Sequence, residues 1–321
     1  MSEKYETIVP SEPDAGERLQ WVSWLRSAAP YVHLHHGRTF VISFAGEVVA
    51  DRTLLNHLVM DVSLIASMGM RVVLVHGSRP QIEELMSLRK LEGQFYKGVR
   101  ITGPQELECV KEACGETRFD IEAAFSQGLP NTPMQHSRIK VVSGNFVTAR
   151  PMGIIDGVDY LHTGVVRKVD AESIQDLLSR GNIVLVSPTG FSPTGEAFNL
   201  TTEDVATAIA VAIHADKLIL SVGVDGVRIQ GEKQQDLTAQ QAQALIQNKQ
   251  VDDEDVYNLG YALRAIKGGV DRVHIVPYAM DGGILTELFT HDGVGTMIST
   301  ENMESLREAT IDDVAAIVKL L

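Results

Sequence analysis

Two periods of apolar residues alternate along the chain, one typical of buried strands and one typical of amphipathic helices. Short β-branched runs end at a glycine or a polar turn, and a helical pattern follows most of them. The predicted strands are residues 39–45, 71–77, 138–144, 182–187, 216–222, 273–276 and 296–299. The predicted helices are residues 53–68, 201–215, 238–248, 254–267 and 284–289, with a further helix beginning at 78. This alternation predicts an α/β fold, a three-layer αβα sandwich around a largely parallel sheet.

Two segments stand outside this alternation. Residues 145–170 are rich in glycine and short alternating runs, which predicts an insertion of antiparallel β-hairpins lying over the sheet. Residues 17–30 predict an amphipathic helix that Pro30 ends or kinks. Its apolar face consists of Leu19, Val22, Leu25 and Ala29, and Trp21 and Trp24 form an adjoining stripe. The helix therefore packs on its own domain or, through its aromatic stripe, forms a contact between subunits.

Composition and charge exclude several classes of partner. The 321 residues are 44% hydrophobic and 22% charged, and no stretch approaches the roughly 20 apolar residues that span a bilayer. The net charge of −14 disfavours nucleic acid, because a phosphate backbone needs a basic surface. Cys109 and Cys114 lack the two-residue spacer of a metal or redox pair, so we expect two thiols on a helix in a reducing cytosol. No metal site is predicted.

Candidate chemistry lies where the predicted strands end. In open α/β sheets, ligands bind beyond the carboxyl ends of the strands. Glycines there let backbone N–H groups approach an anion, and the following helix adds the positive end of its dipole. Four segments are expected to converge on a small anionic ligand: residues 44–47, 76–81, 187–195 and 198–204. Arg100 either clamps a ligand carboxylate or lies exposed on a loop.

Several stretches of the chain occur in a characteristic order. They read PYVHLHHGRTFVISFAGE, HGSRPQI, GVRIT, NTP with VVSGNF, DGVDY with HTG, FNLTTEDVATAIA and ELFTHDGVGTMI. In this order they resemble the amino acid kinase family and, within it, the kinase-like domain of bacterial N-acetylglutamate synthases. The resemblance begins at about residue 20 and implies a carbamate kinase-like form of the αβα sandwich. Synthases of this group transfer an acetyl group from acetyl-CoA to L-glutamate, the first step of arginine biosynthesis.

The strand-to-helix turns depart from the pattern of active kinases in this family. N-acetylglutamate kinases carry a lysine where this chain has Ser43, and two glycines where it has Ala45 and Gly46. Their second turn is histidine followed by three glycines, of which this chain keeps only Gly77. Phosphoryl transfer depends on cations that neutralise the transferred oxygens, so the changes predict loss of kinase activity.

The residues predicted to bind the amino acid substrate of the kinase site differ less from the pattern of active kinases. Asn199 and Arg100 are kept, the aspartate that orients the catalytic lysines corresponds to Glu203, and the second catalytic lysine aligns near Asn258. These positions are predicted to be vestiges of an acetylglutamate site. The alternative is a functional amino acid kinase that phosphorylates N-acetylglutamate with ATP, against which the missing lysines argue.

The resemblance also implies an effector site for L-arginine, between the N-terminal helix and the C-terminal part of the domain. The matching residues are Tyr31, Glu287, Gly293 and Gly295. A carboxylate such as Glu287 can pair with the ligand guanidinium, while loop N–H groups hold the ligand carboxylate. The expected function is therefore that of an arginine-binding regulatory and oligomerisation domain, a homo-oligomer of two or six chains.

The predicted organisation has four parts. Residues 1–18 form a flexible N-terminus, 19–36 an N-terminal helix, 37–304 the kinase-like domain, and 305–321 a linker with the opening of a GNAT acetyltransferase domain. On this prediction the chain is a truncated synthase without a cofactor of its own, and acetyl-CoA belongs to the missing acetyltransferase domain.

Overall fold

The computed structural model of this chain describes residues 15–127 and 139–300. Its helices are α1 (Ala15–His35), α2 (Gly46–Ala50), α3 (Arg52–Ser67), α4 (Arg79–Leu88), α5 (Pro104–Ser126), α6 (Ala171–Ser179), α7 (Thr202–Ala212), α8 (Ala239–Gln247), α9 (Asp253–Lys267) and α10 (Gly283–Phe289). Its strands are β1 (Thr39–Phe44), β2 (Arg71–His76), β3 (Gln94–Tyr96), β4 (Val99–Ile101), β5 (Val141–Ser143), β6 (Val147–Pro151), β7 (Ile154–Ile155), β8 (Val158–Asp159), β9 (Gly164–Val169), β10 (Ile183–Val186), β11 (Thr189–Phe191), β12 (Ala197–Asn199), β13 (Lys217–Val222), β14 (Arg228–Ile229), β15 (Glu232–Lys233), β16 (Asp236–Thr238), β17 (Arg272–Pro277) and β18 (Thr296–Ser299).

An eight-stranded sheet forms the centre of the fold, in the order β16–β18–β17–β13–β1–β2–β10–β5. All of its neighbouring pairs are parallel except β17 and β18, which run antiparallel. The central strands β1 and β13 have almost no exposed residue, as a parallel sheet covered on both faces requires. The predicted α/β class and largely parallel sheet are confirmed.

Successive residues of the central strands enter two separate apolar cores. In β1, Val41 belongs to one core, whereas Phe40 and Ile42 belong to the other. The first core is closed by α6, α7, α8 and α9, and the second by α1, α2, α3, α5 and α10. The alternation follows from the two-residue period of a strand and gives the predicted three-layer sandwich.

The inserted segment forms antiparallel pairs, as the sequence predicts. Strands β6 and β9 pair antiparallel, as do the short β7 and β8. Together with β11 and β12, the first pair forms a second, four-stranded sheet in the order β12–β11–β6–β9. Its inward residues Val147 and Ala149 join the first core, which places this small sheet over the large one.

The N-terminal helix differs from its prediction at Pro30. Helix α1 continues through Pro30 to His35, so of the two predicted outcomes the proline does not end the helix, and a kink there stays a prediction. The proline leaves the carbonyl group of Arg26 without a helical partner, but both residues are exposed and water can take that place. Beyond the proline the helix is fixed by His35, whose Nε2 lies 3.0 Å from the carbonyl oxygen of Leu288 on α10.

Most of the apolar face predicted for α1 is exposed in the part of the chain that the structure describes. Leu19 is 72% exposed, Leu25 is 46% exposed and Trp24 is 51% exposed. The contacts to the core come instead from Ala28, which is buried, and from the half-buried Tyr31. Among the described residues of one chain, the helix therefore presents an apolar surface that the rest does not cover.

Several predictions fall on other parts of the chain. Of the predicted flexible N-terminus, residues 1–18, the first 14 lie outside the described residues, and α1 begins at Ala15. The predicted acetyltransferase stub, residues 305–321, also lies outside them. Cys109 and Cys114 are free thiols buried on α5, as expected, and burial raises the pKa of Cys114 to about 12. Within the described ranges no helix is long and apolar enough to cross a membrane.

A buried carboxyl group joins α3 to the start of α10. Asp61 is 6% exposed, and the backbone N–H groups of Ile284 and Leu285 donate hydrogen bonds to it. Burial, with repulsion from Asp281, raises the pKa of Asp61 to about 7 from an ordinary 3.8. As pH rises from 3.8, the unfolded chain releases this proton first, so the fold progressively loses stability until about pH 7.

We therefore expect Asp61→Asn to stabilise the protein, because the amide oxygen can still accept from α10 without carrying a charge. The gain in the free energy of unfolding is small at pH 4 and grows up to about pH 7. Above that pH it stays constant, on the order of 1–3 kcal/mol. Urea unfolding of both proteins across this range measures it. The exposed Asp120→Asn serves as the control, and a gain independent of pH contradicts the assignment.

Candidate functional site

A cleft of about 630 Å³ lies beyond the carboxyl ends of β1, β2 and β13. The starts of α2, α4, α7 and α9 line it, together with the β3–β4 hairpin. The lining includes most residues of the predicted kinase site: Ala45, Gly46, Gly77, Arg100, Asn199, Glu203 and Asn258. Ser43, predicted to stand at the first lysine position, is buried within β1 between Val75 and Leu220 of the neighbouring strands. The structure thus brings the predicted positions together around one cleft.

The two glycine turns on the cleft floor pack directly against each other. A Cβ atom added to Gly77 would lie 2.8 Å from the backbone nitrogen of Gly46. One added to Gly46 would lie 3.0 Å from the backbone nitrogen of Arg79 and 2.7 Å from Oε1 of Gln81. The amide of Gln81 also donates to the carbonyl oxygen of Gly46 over 2.8 Å. Both glycines are therefore required by the packing of the chain on itself, whatever the cleft binds.

The cations of the cleft lie on one wall. Among the described residues that line it, Arg79 and Arg100 are the arginines, and no lysine is present. Both guanidinium groups bind Glu83, at 3.0 Å and 3.2 Å, and both lie over the ring of Phe95. Arg100 is 8% exposed, and burial lowers its pKa. Of the two alternatives for Arg100, the exposed loop residue is excluded.

The side chain of Asn199 belongs to a hydrogen-bond network in the wall of the cleft. Its Nδ2 donates to Oγ1 of Thr102 over 3.0 Å, and Thr102 lies 2.9 Å from Oγ1 of Thr163. Thr163 donates in turn to the carbonyl oxygen of Arg100 over 2.6 Å. This buried network fixes the hairpin that carries Arg100 against the β11–β12 hairpin.

The cleft also carries acidic side chains. Glu47, Glu203, Asp253 and Glu254 line it, each in the first turn of a helix. Burial raises the pKa of Glu203, and Tyr257 donates a hydrogen bond to its Oε2 over 3.1 Å. In the part of the chain that the structure describes, no cluster of three or more histidine, cysteine or acidic side chains is suited to a metal ion. The charge of the described lining therefore disfavours a nucleotide polyphosphate.

A second polar centre surrounds Glu287 on α10, away from the cleft lining. Its Oε2 accepts hydrogen bonds from the backbone nitrogens of Val294 and Gly295, at 2.7 Å and 2.9 Å. Its Oε1 lies 2.7 Å from Nδ1 of His274, whose Nε2 lies 3.0 Å from Nζ of Lys217. Lysine can only donate, so His274 accepts at Nε2 and donates from Nδ1 to the carboxylate.

The electrostatics of this centre favour an ionised glutamate. Burial opposes the charge of Glu287, but the hydrogen bonds from His274 and from the loop outweigh it and hold the pKa at about 2. Burial, reinforced by Lys217, lowers the pKa of His274 to about 4, so the imidazole is neutral near pH 7. Burial likewise lowers the pKa of Lys217 to about 8.

The predicted effector glycines wrap around this carboxylate. Gly293 has a φ of +61°, and a Cβ atom there would lie 2.5 Å from Oε2 of Glu287. A Cβ atom at Gly295 would overlap the carbonyl oxygen of Ile275 on β17. Tyr31 packs against the same core as Leu288 of α10. The structure therefore gathers Glu287, Gly293 and Gly295 at one loop, with α1 beside it.

Sequence reasoning missed His35, Lys217 and His274 at this centre. The signal was present but weak: a lysine opens the apolar run of β13, and a histidine interrupts the apolar run of β17. From the sequence alone, each is an isolated polar residue in an apolar strand. Only the pairing of β13 with β17 shows that the two side chains are neighbours.

Comparison with known proteins places the fold in a family. The model of the amino acid kinase family matches residues 38–277. A curated amino-acid acetyltransferase of Ralstonia nicotianae is 54% identical over 310 residues, which cover 96% of this chain and 68% of that protein. One from Ectopseudomonas mendocina is 48% identical, with 94% and 69% covered.

The chain belongs to the amino acid kinase family. Within it, the chain is similar to a crystal structure of N-acetylglutamate synthase from Neisseria gonorrhoeae complexed with coenzyme A and L-arginine. The two are 35% identical with a TM-score of 0.84, over 94% of this chain and 70% of that one. Carbamate kinase from Giardia lamblia, at 14% identity and a TM-score of 0.64, shares the fold. The kinase-like domain of this chain is thus of the N-acetylglutamate synthase group.

The packing of the glycine turns gives a test that is independent of any ligand. In this amino acid kinase fold we expect Gly77→Ala to destabilise the protein by roughly 1–3 kcal/mol, because a methyl group would press on the backbone of Gly46. Gly260→Ala is the matched control, since Gly260 is exposed on α9 with open space around it. The Gly260→Ala substitution is expected to raise the free energy of unfolding by about 0.5–1 kcal/mol. Urea unfolding measures both, and equal effects contradict the packing argument.

Proposed function

We propose that this chain is the arginine-binding regulatory and oligomerisation domain of an N-acetylglutamate synthase. In this proposal the acetyl transfer from acetyl-CoA to L-glutamate belongs to a separate acetyltransferase domain. The observation that carries the proposal is the similarity, over 94% of the chain, to a synthase complexed with coenzyme A and L-arginine. The chain corresponds to about two thirds of that protein, 70% of its length.

The effector site in this proposal is the loop around Glu287. The ligand guanidinium is a planar donor that pairs well with a carboxylate. Glu287 already accepts hydrogen bonds from His274, Val294 and Gly295, which leaves about one of its four acceptor positions for a ligand. A charge fixed by three donors is pre-organised, so arginine binding loses little entropy at this residue. Tyr31 and α1 form the other side of the site.

The cleft in this proposal has no kinase activity. Phosphoryl transfer is catalysed mainly by cations placed around the transferred oxygens, and loss of one such donor costs roughly 3 kcal/mol. Ser43 and Asn258 stand at the two lysine positions, and both are buried, at 3% exposure each. The remaining cations, Arg79 and Arg100, are already bound to Glu83.

Arginine binding is tested by calorimetric titration of the purified chain with L-arginine. We expect Glu287→Gln to weaken binding about 10-fold to 100-fold, because charged hydrogen bonds contribute roughly 1.5–3 kcal/mol. Glu84→Gln removes an exposed carboxylate of α4 and is expected to leave the affinity unchanged. Thermal unfolding checks that the glutamine variant is folded. Unchanged affinity in a folded Glu287→Gln protein would remove this site from the proposal.

Assembly through α1 is tested by sedimentation velocity. The uncovered apolar residues of α1 are expected to join chains into the larger of the two proposed oligomers. Deleting residues 1–30, or replacing Trp24 and Leu25 together by serine, is expected to shift the protein to a smaller species. Arg26→Ser, also exposed on this helix, is the control. If all of these proteins have the same size distribution, assembly through α1 is contradicted.

A further inference from the structure

The short hairpin β14–β15 contacts the loop of residues 290–295, which wraps around Glu287 and is called the effector loop below. The two strands are joined by Gln230 and Gly231, whose φ values of +52° and +87° are those of a tight two-residue turn. Lys233 on β15 donates from Nζ to the carbonyl oxygen of Val294 in the loop, over 2.9 Å. The hairpin therefore brings an ammonium group to the backbone of the effector loop.

A buried threonine fixes the base of this hairpin beside the loop. Thr296 is fully buried, and its Oγ1 accepts from the backbone nitrogen of Val227 over 2.8 Å and donates to the carbonyl oxygen of Gln234 over 2.5 Å. Val227 and Gln234 flank the hairpin and bind each other, with the nitrogen of Gln234 2.9 Å from the carbonyl oxygen of Val227. One side chain thus holds both ends of the hairpin, so Lys233 reaches the loop from a fixed position.

The peptide group between Val294 and Gly295 is bound on both of its sides. Its N–H group donates to Oε2 of Glu287 over 2.9 Å, and its carbonyl oxygen accepts from Lys233. In a trans peptide these two groups point in opposite directions. An ammonium group on the carbonyl oxygen polarises the peptide, which makes the N–H group a stronger donor. Lys233 therefore supports the charge of Glu287 through the peptide.

The effector loop needs this support because glycine lets the peptide turn over. Such a rotation changes ψ of Val294 and φ of Gly295, and glycine accepts φ values of either sign. A stiffer residue cannot replace Gly295, since a Cβ atom there would overlap the carbonyl oxygen of Ile275. A turned peptide would direct its carbonyl oxygen at the carboxylate of Glu287, which repels it. The contact with Lys233 opposes that rotation.

The charges of the hairpin also distinguish Lys233. Arg228 and Lys233 are paired directly across the two strands, and like charges in such positions repel. Asp225 binds the guanidinium group of Arg228 at 2.8 Å, which offsets that charge. The ammonium group of Lys233 is directed instead to the carbonyl oxygen of Val294.

We propose that Lys233 is a positioning residue of the effector site. It holds the peptide between Val294 and Gly295 so that the N–H group faces Glu287, and it thereby raises the affinity of the carboxylate for a guanidinium ligand. The effect on a ligand rests on the function proposed above, whereas the orientation of the peptide is a property of the chain alone.

Hydrogen-exchange mass spectrometry of the full chain without ligand tests the orientation of the peptide. Lys233→Met keeps a long side chain and removes the donor, so we expect exchange in residues 290–296 to become about threefold to tenfold faster. Lys233→Arg, which can still donate, is expected to restore slow exchange. Lys168→Met removes an exposed strand lysine of β9 and is the matched control, with no change expected. Unchanged exchange in Lys233→Met overturns the proposal.

Calorimetric titration with L-arginine tests the effect on the site. We expect Lys233→Met to weaken binding about threefold to tenfold, Lys233→Arg to restore it, and Lys168→Met to leave it unchanged. Thermal unfolding is expected to give the same midpoint for all of these proteins, because Lys233 is exposed. Equal affinities in the unmodified protein and Lys233→Met contradict the positioning role, as does a loss that the arginine variant does not repair.

A double variant shows whether Lys233 acts through Glu287. In the Glu287→Gln background, Lys233→Met is expected to cause little further loss of affinity, because the charge that the peptide supports is already gone. Fully additive losses would mean that Lys233 acts on the ligand by another route, and the positioning role would be wrong. If the unmodified chain does not bind L-arginine, the regulatory proposal fails, and the exchange rates alone decide whether Lys233 positions the loop.

Discussion

The close approach of the turns after β1 and β2 is the constraint on which the cleft depends. Neighbouring parallel strands lie about 4.8 Å apart, and these two leave the sheet side by side. Gly46 and Gly77 meet where the turns touch, and neither has room for a side chain. The shape of a phosphate-binding loop is therefore kept by the sheet itself. It persists although the described lining of the cleft contains no lysine.

The same reasoning bears on the predicted absence of the two kinase lysines. A buried ammonium group is costly unless it is paired, and in an active kinase the phosphates provide that partner. Without them, a lysine at the fully enclosed position of Ser43 would be an isolated buried charge. Lys217 shows the contrasting case, since it is equally buried but retains His274 as a hydrogen-bond partner. Whether a cation survives inside this fold thus follows from whether a partner remains.

The sequence was sufficient for the central architecture because that part is encoded locally. Buried strands such as β1, β2 and β13 are continuous apolar runs that end at a turn, and the helices between them have clear apolar faces. The short hairpins β3–β4 and β14–β15 were not predicted, since strands of two or three residues carry almost no periodic pattern. The continuation of α1 past Pro30 depends on His35 meeting Leu288, a contact 253 residues away along the chain. Local patterns cannot contain such information, and the same holds for the Lys217–His274–Glu287 chain of hydrogen bonds.

The position of Glu287 indicates how the proposed effector would act. Strand β13 has Lys217 at its first residue and Ser221 at the cleft end, so the two centres lie at opposite ends of a buried strand, roughly 15 Å apart. A close-packed sheet of this kind resists deformation. Helix α1 is different, because part of its surface is uncovered and its end is attached to α10 through His35. A ligand at Glu287 would therefore act on α1 and on the contacts proposed for it with other chains, rather than through the sheet on the cleft.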